Sequence, residues 1–292
     1  MTTPEDAAKP RTTRKLTGYW LILPGAIWLG LFFVVPFYSL IATSLFDPRG
    51  SVLTGYDMAW HFANFSDALR DFWQPLVRSL GYAAVATTFC LFLGYVLAYA
   101  IAFKAGRWKN LMLILVIAPF FTSFLIRTLS WKLILSDDGW IVNLLQAINL
   151  LGENGRLLAT PVAVIAGLTY NFLPFMVLPL YASLEKIDYR LIEASSDLYA
   201  SPIRGFFKVT WPLSMPGVVA GTLLTFIPAA GDYINAQLLG SPNQRMVGNV
   251  IQNLFTTSND YAAAGALSMI LMLIIVAMVL LYVRKSGTEE LI

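Results

Sequence analysis

Six stretches of mostly apolar residues recur along the chain, near 18–45, 80–103, 110–135, 160–184, 216–239 and 262–283, each closed by charges, glycine or proline. A bilayer core takes roughly 20 apolar residues per helix, so each stretch predicts one transmembrane helix. No alternating, strand-like segments stand out. The fold class predicted is all-α, a polytopic membrane protein with six transmembrane helices. The first run, "GYWLILPGAIWLGLFFVVPFYSLIATSLF", is too long for a signal-peptide core and lacks a small-residue cleavage site, which predicts an uncleaved span.

The connections are unequal. Residues 46–79 are long enough for a short amphipathic helix over 64–73, where Phe65, Leu69 and Phe72 have helical spacing. "KAGRWKN" predicts a tight turn, and 136–159 carries the turn signals "DDG" and "GENG". Only the segment 185–215 is a long connection on its own side of the membrane.

Composition supports this pattern. Of 292 residues, 57% are hydrophobic and 13% charged, whereas soluble domains run near a quarter charged. Lys and Arg set the orientation, because positive residues are retained inside. With the N-terminus inside, 13 of the 20 fall on the inner side and five on the outer, leaving Arg127 and Lys132 in or beside a span. A tail at 1–17 and another at 284–292 are expected in the cytoplasm, flanking a transmembrane domain at 18–283. The net charge of +3 is thus topological and gives no sign of a nucleic-acid partner. One cysteine, Cys90, and one histidine, His61, supply no disulfide, no dense metal-ligand set and no catalytic constellation. No catalytic residue, metal site or cofactor is expected in this chain, and lipid is its expected surround.

Inside 185–215, Leu191, Ala194, Ser195, Leu198 and Pro202 form a small-to-apolar stripe that fits a helix over about 189–200. Glu193 and Asp197 share another face, four residues apart, where like charges are tolerated best with a basic partner opposite. Ser201 then caps a second short helix that opens at Pro202 and ends at Trp211-Pro212. A narrow stripe beside an acidic face suits docking in a groove of a cytoplasmic partner.

These residues resemble the coupling loop of ATP-binding-cassette importer permeases, a motif of Glu-Ala-Ala, a glycine four positions later and an Ile-x-Leu-Pro ending. Glu193 and Ala194 match its first two positions, Val209 its isoleucine and Pro212 its last residue. Ser195 replaces the second alanine, Tyr199 the glycine and Trp211 the leucine. The resemblance implies the type I importer permease fold and a coupling role for Leu191, Glu193, Ala194, Asp197, Leu198, Tyr199 and Pro212. It also implies a second homologous permease, two ATPase subunits that hold ATP and magnesium, and an extracytoplasmic solute-binding protein, all at a bacterial cytoplasmic membrane. The segments 120–145 and 231–241 resemble polyamine (spermidine/putrescine) permeases, while permeases for iron, sulfate, thiamine and other solutes share the core.

Ionisable groups within spans are functional candidates by default. Counted along straight helices from the inner ends, Arg127 and Asp232 are level, roughly 25 Å up. Two expectations stand: a structural ion pair, or a path for a cationic solute at Asp232 with Tyr170, Phe172 and Tyr233 as aromatic walls. Asn171 with Pro174 and Pro179, and Pro228 with Gly231, predict broken or kinked fourth and fifth spans. Gly81, Gly94 and Gly265 are expected at helix contacts. A secondary transporter, the competing class, would more often carry a relay of acids or histidines along its spans.

Overall fold

A carboxyl-terminal cap made by one asparagine fixes how the first span meets the second. Asn64 donates from Nδ2 to the carbonyls of Ser44 (3.0 Å) and Phe46 (2.9 Å), filling acceptors that a helix end leaves open. In the computed structural model, which describes residues 14–50, 54–152 and 155–285, the first span is α1 (Arg14–Leu29), a π-turn at Gly30–Val34 and α2 (Val35–Ser44). Most of the two tails and Glu153 lie outside the described residues. The second span is α3 (Ala63–Tyr99), which continues through a π-turn to Lys104. The expected outer-loop helix at 64–73 is therefore the first part of α3, set off by a non-helical Phe72 (φ −121°, ψ 19°) just before Pro75.

The third apolar run departs most from expectation. It forms α4 (Lys109–Ile117), a 3-10 turn through Phe121, and α5 (Phe124–Ile134), with a bend of 95° between its halves. The cause is local: Pro119 interrupts the helix and Thr122 is extended (ψ 149°). The turn-rich connection at 136–159 also contains α6 (Trp140–Ala147), capped by Gly139. By contrast the fourth span, α7 (Pro161–Glu185), is one continuous helix through Pro174 and Pro179, correcting the expectation of a break.

The inner connection holds α8 (Tyr189–Asp197), α9 (Pro202–Gly205), a π-turn at Phe206–Thr210 and α10 (Trp211–Leu213). A 66° bend at Ser214 then leads into α11 (Met215–Ala230). Pro228 and Gly231 end that span as expected, and α12 (Ile234–Leu239) follows. The chain finishes with α13 (Val247–Thr256) and the last span, α14 (Tyr261–Lys285). Among the described residues, four helices are long and apolar enough to cross a membrane, and up to six spans result when each bent pair counts as one.

The core is the trio α3, α7 and α11, which pack more extensively on one another than any other elements. Its centre is apolar, with Ala83, Ala86, Met176, Val177, Leu180 and Val218 all buried. Small residues let the backbones approach, since lipid gives helices no hydrophobic drive to associate. A Cβ on Gly94 would lie 3.0 Å from Met176 Cγ, and one on Gly265 would lie 2.7 Å from Ser44 N, where α14 meets α2. Gly81 is the exception: nothing lies within 4 Å of its missing Cβ, so it makes no helix contact within this chain. The first span packs on α14 only near its Ser44 end, and the most apolar part of Tyr19–Ser44 has no buried residue.

Substitution should read this difference directly. Gly265→Leu should cost about 1–3 kcal/mol by forcing α14 from α2, and should lower the melting temperature of the purified subunit. Gly81→Leu should leave that temperature unchanged, and an equal loss from both would contradict the packing described.

Candidate functional site

Two sets of residues form candidate sites, one at the end of the trio beside α8 and one near its opposite end. At the first, Asp188 caps α8 by accepting from Arg190 N (3.0 Å). Ile192 and Ser195 turn inward and are half-buried, whereas Leu191, Glu193, Ala194, Asp197 and Leu198 are exposed. Ser195, assigned to the outward stripe on spacing, instead backs onto Gly205, where an added Cβ would lie 2.9 Å from its Oγ. Its hydroxyl donates to Ile192 O (2.7 Å).

The helix ends at Asp197, three residues short of expectation, by a left-handed turn at Tyr199 (φ 57°). Ala200 N donates to Ser195 O (3.1 Å) and Tyr199 N to Ser196 O (2.9 Å), the pattern that normally places glycine at this point. A residue bearing a Cβ spends about 1–2 kcal/mol there, and Tyr199 remains 96% exposed. The bend thus falls at the motif's glycine position, with Tyr199 in it. Ser201 caps the next helix as expected, its hydroxyl accepting from Arg204 N (3.4 Å).

Trp211, the other large departure from the motif, is explained by packing. Its ring lies 5.3 Å from that of Tyr95 on α3, and Phe206 meets Tyr95 edge-on at 5.4 Å. The Tyr95 hydroxyl is hydrogen-bonded to Ser214 Oγ (2.8 Å) at the bend that opens α11. Phe103 and Tyr189 stack at 6.4 Å, so both short helices are fastened to the inner end of the second span. Pro212 is exposed beside this cluster. Alongside, Lys109 Nζ bonds Glu185 Oε1 (2.6 Å) and sits over the Tyr181 ring, tying the start of α4 to the end of α7.

Near the other end, a buried polar chain crosses three elements. Asp232 Oδ2 accepts from Asn235 N and Asn235 Nδ2, both at 2.9 Å. Asn235 Oδ1 accepts from Asn171 Nδ2 (3.1 Å), which is also 3.1 Å from Thr128 Oγ1. The Thr128 hydroxyl donates to Phe124 O (3.0 Å). All four side chains are buried. Gly167 makes the room: a Cβ there would lie 2.7 Å from Asn235 Oδ1.

The ion pair expected between Arg127 and Asp232 is not formed in this conformation. Arg127 sits over the rings of Phe120 (5.9 Å) and Phe124 (5.6 Å), and its Nε and Nη1 have no hydrogen-bond partner. The equal depth inferred from straight helices also fails, because the 95° break in the third run stops the rise from accumulating. α5 and α12 nevertheless pack together, which places Arg127 beside Thr128 at the far end of the Asp232 chain.

Of the expected aromatic walls, Phe172 is buried against Phe124 (5.9 Å). Tyr170 stacks on Trp131 (5.4 Å) and lines an apolar cavity of about 290 Å³ between α3, α4 and α7. Tyr233 is 38% exposed, and its carbonyl accepts from Asn249 Nδ2 (2.6 Å). Sequence reasoning missed Asn235, Thr128 and Asn249. The first two lie in apolar runs, where a side-chain amide or hydroxyl that cannot reach water is itself a signal.

Several loop carboxylates are committed to structure. Asp137 pairs with Arg156, Asp47 accepts from Arg49 N (2.9 Å), and Asp260 accepts from Ala263 N (3.0 Å) at the start of α14. Between α12 and α13 lies a polar cavity of about 400 Å³ lined by Gln237, Arg245, Asn249, Gln252 and Asn253. Among the described residues, no three His, Cys, Asp or Glu side chains form a metal-binding group.

An apolar helical bundle with an exposed, capped helix at one end and a buried carboxylate at the other is a polytopic membrane fold. Residues 20–286 match the family of binding-protein-dependent transport system inner membrane components, and the chain belongs to that family. It is a multi-pass inner-membrane permease subunit of an ABC importer. The spermidine/putrescine transport system permease protein PotB of Haemophilus influenzae is 36% identical over 260 residues, 89% of this chain and 90% of that one. The protein of the same name in Escherichia coli K12 is 37% identical over 260 residues, 89% of this chain and 94% of that one. A solved bacterial ABC transporter involved in the import of the acidic polysaccharide alginate shares the fold, with a TM-score of 0.74 at 19% identity over 95% of this chain and 98% of that one.

Removing the donor that holds the carboxylate gives a direct check on the buried chain. Asn235→Leu should destabilise the subunit by about 1–3 kcal/mol, because a buried acceptor loses its partner. Asp232→Asn added to it should recover part of that loss. Thermal unfolding across the double-mutant cycle measures the coupling, and strictly additive losses would contradict it.

Proposed function

We propose that this chain is one of two permease subunits of an importer for polyamines, solutes with two or more positive charges. The observation that carries the solute class is the 36–38% identity to permeases named for spermidine and putrescine, extending over 89% of the chain. A buried carboxylate at Asp232 supports it, since it gives a cationic solute a partner within the bundle.

ATP and magnesium belong to two partner ATPase subunits, whose contact surface on this chain is the outward face of α8. The stripe of Leu191, Ala194 and Leu198 beside Glu193 and Asp197 supports that assignment, and Tyr199 extends the same exposed end. The second permease covers the unburied first span, and an extracytoplasmic binding protein delivers solute to the outer face. Both termini lie in the cytoplasm, in keeping with the distribution of Lys and Arg. Closure of the ATPases displaces α8, and the Tyr95–Phe206–Trp211 cluster passes that displacement to α3 and α11.

Uptake of labelled spermidine, putrescine, maltose and ferric iron by cells carrying the whole importer tests the solute class. Preference for either polyamine is expected, and preference for the sugar or for iron would overturn it. Glu193→Lys should leave the complex assembled and hydrolysing ATP while polyamine uptake falls at least about tenfold, the effect of losing one charge-assisted contact. Uptake and hydrolysis coupled as in the unmodified importer would remove the docking role from α8.

A further inference from the structure

Arg127 and Asp232 are each 8% exposed and carry opposite charges, yet they do not pair. Asp232 is provided with two N–H donors from Asn235. Arg127 is not provided for: beyond two aromatic faces, its Nε and Nη1 are buried without an acceptor. Such a resting place is costly for a guanidinium, so it is sustained by a state in which the same side chain is better met.

Both residues sit at backbone breaks. Arg127 lies in the first turn of α5, its N–H donating to Ser123 O directly after the extended Thr122. Asp232 lies in the short break between α11 and α12. Between them runs the chain Asn235–Asn171–Thr128, ending at the neighbour of Arg127. One acceptor on that chain is also open: Asn171 Oδ1 is buried with no donor. The region therefore offers a carboxylate, a second unfilled acceptor and a resident cation with free N–H groups.

We infer that Arg127 is a specificity-determining residue, a tethered cation that competes with the solute for the Asp232 carboxylate. This rests on the reading of the solute as a polyamine. Guanidinium matches a carboxylate in a two-pronged geometry and is held at high effective concentration by its tether. A solute with one ammonium group offers Asp232 nothing that Arg127 lacks. A solute with two can meet the carboxylate and Asn171 Oδ1 together, and so keeps the guanidinium on Phe120 and Phe124, the aromatic faces that receive it in this structure.

The test uses the full importer, purified without its binding protein so that delivery does not select the amine. Calorimetric titration compares putrescine with n-butylamine, its single-ammonium counterpart. The unmodified importer should prefer putrescine by at least about tenfold, the worth of one charge-assisted hydrogen bond. Arg127→Gln should bring n-butylamine to within about threefold of putrescine, while Arg127→Lys, which keeps the tethered charge but not the two-pronged match, should give an intermediate preference. A preference unchanged in Arg127→Gln, or both amines weakened equally, would overturn the inference.

Asp232→Asn provides a second readout that does not depend on the Gln variant assembling. It removes the carboxylate over which the two cations compete while Asn235 can still donate to the side chain, so putrescine should lose its advantage over n-butylamine. An advantage kept at full size in Asp232→Asn would also overturn the inference. Failure of the unmodified importer to bind or take up any polyamine would instead count against the solute assignment, so the two outcomes are separable.

Discussion

A carboxyl group buried inside a bundle surrounded by lipid has to be met by donors from the protein itself. Asp232 is the residue that imposes this condition, and the arrangement of α5, α7 and α12 follows from it. Asn235 gives both its backbone and side-chain N–H to the carboxylate, Asn171 gives its amide to Asn235, and Thr128 closes the line. None of these groups can be withdrawn without leaving another buried and unmatched, which in a medium of low dielectric costs far more than at a surface. Gly167 is part of the same condition, because any side chain there would occupy the space of the Asn235 amide.

The inner end obeys a different constraint. A helix that receives a push has to be stiffly joined to what it moves, and here the joint is aromatic. Tyr95, Phe206 and Trp211 interlock, while the Tyr95 hydroxyl holds Ser214 at the bend into α11. α3 and α11 both pack on α7, which carries Asn171 just before its midpoint. The joint and the polar chain are therefore two ends of one helical trio.

Most of the span organisation was legible in the sequence because lipid demands long uninterrupted apolar runs, and the chain has six. What the pattern missed were departures from straight helices. Pro119 and the extended Thr122 fold the third run back by 95°, and nothing in its hydropathy distinguishes that from a straight span. Pro174 and Pro179 predicted a break or a kink, yet α7 continues through both, packed between α3 and α11. At the coupling loop, spacing gave the helix, its cap and its outward stripe, but the inward turn of Ser195 depended on Gly205, a contact ten residues away. For the buried site, Asp232, Arg127 and Asn171 stood out by their type. Their pairing did not, because a depth count along ideal helices is undone by a single bend. Asn235 and Thr128 were passed over as ordinary polar residues until the fold brought them to Asn171.

The central claim is that motion of α8 reaches the Asp232 chain through the aromatic joint. Spin labels on α8 and α12, each paired with a reference label on α14, report both movements by pulsed electron resonance in nanodiscs. Trapping the ATPases in the ATP-bound state should shift both distances in the unmodified importer, and in Trp211→Ala the α8 shift should persist while the α12 shift is lost. An α12 shift of full size in Trp211→Ala would contradict the account.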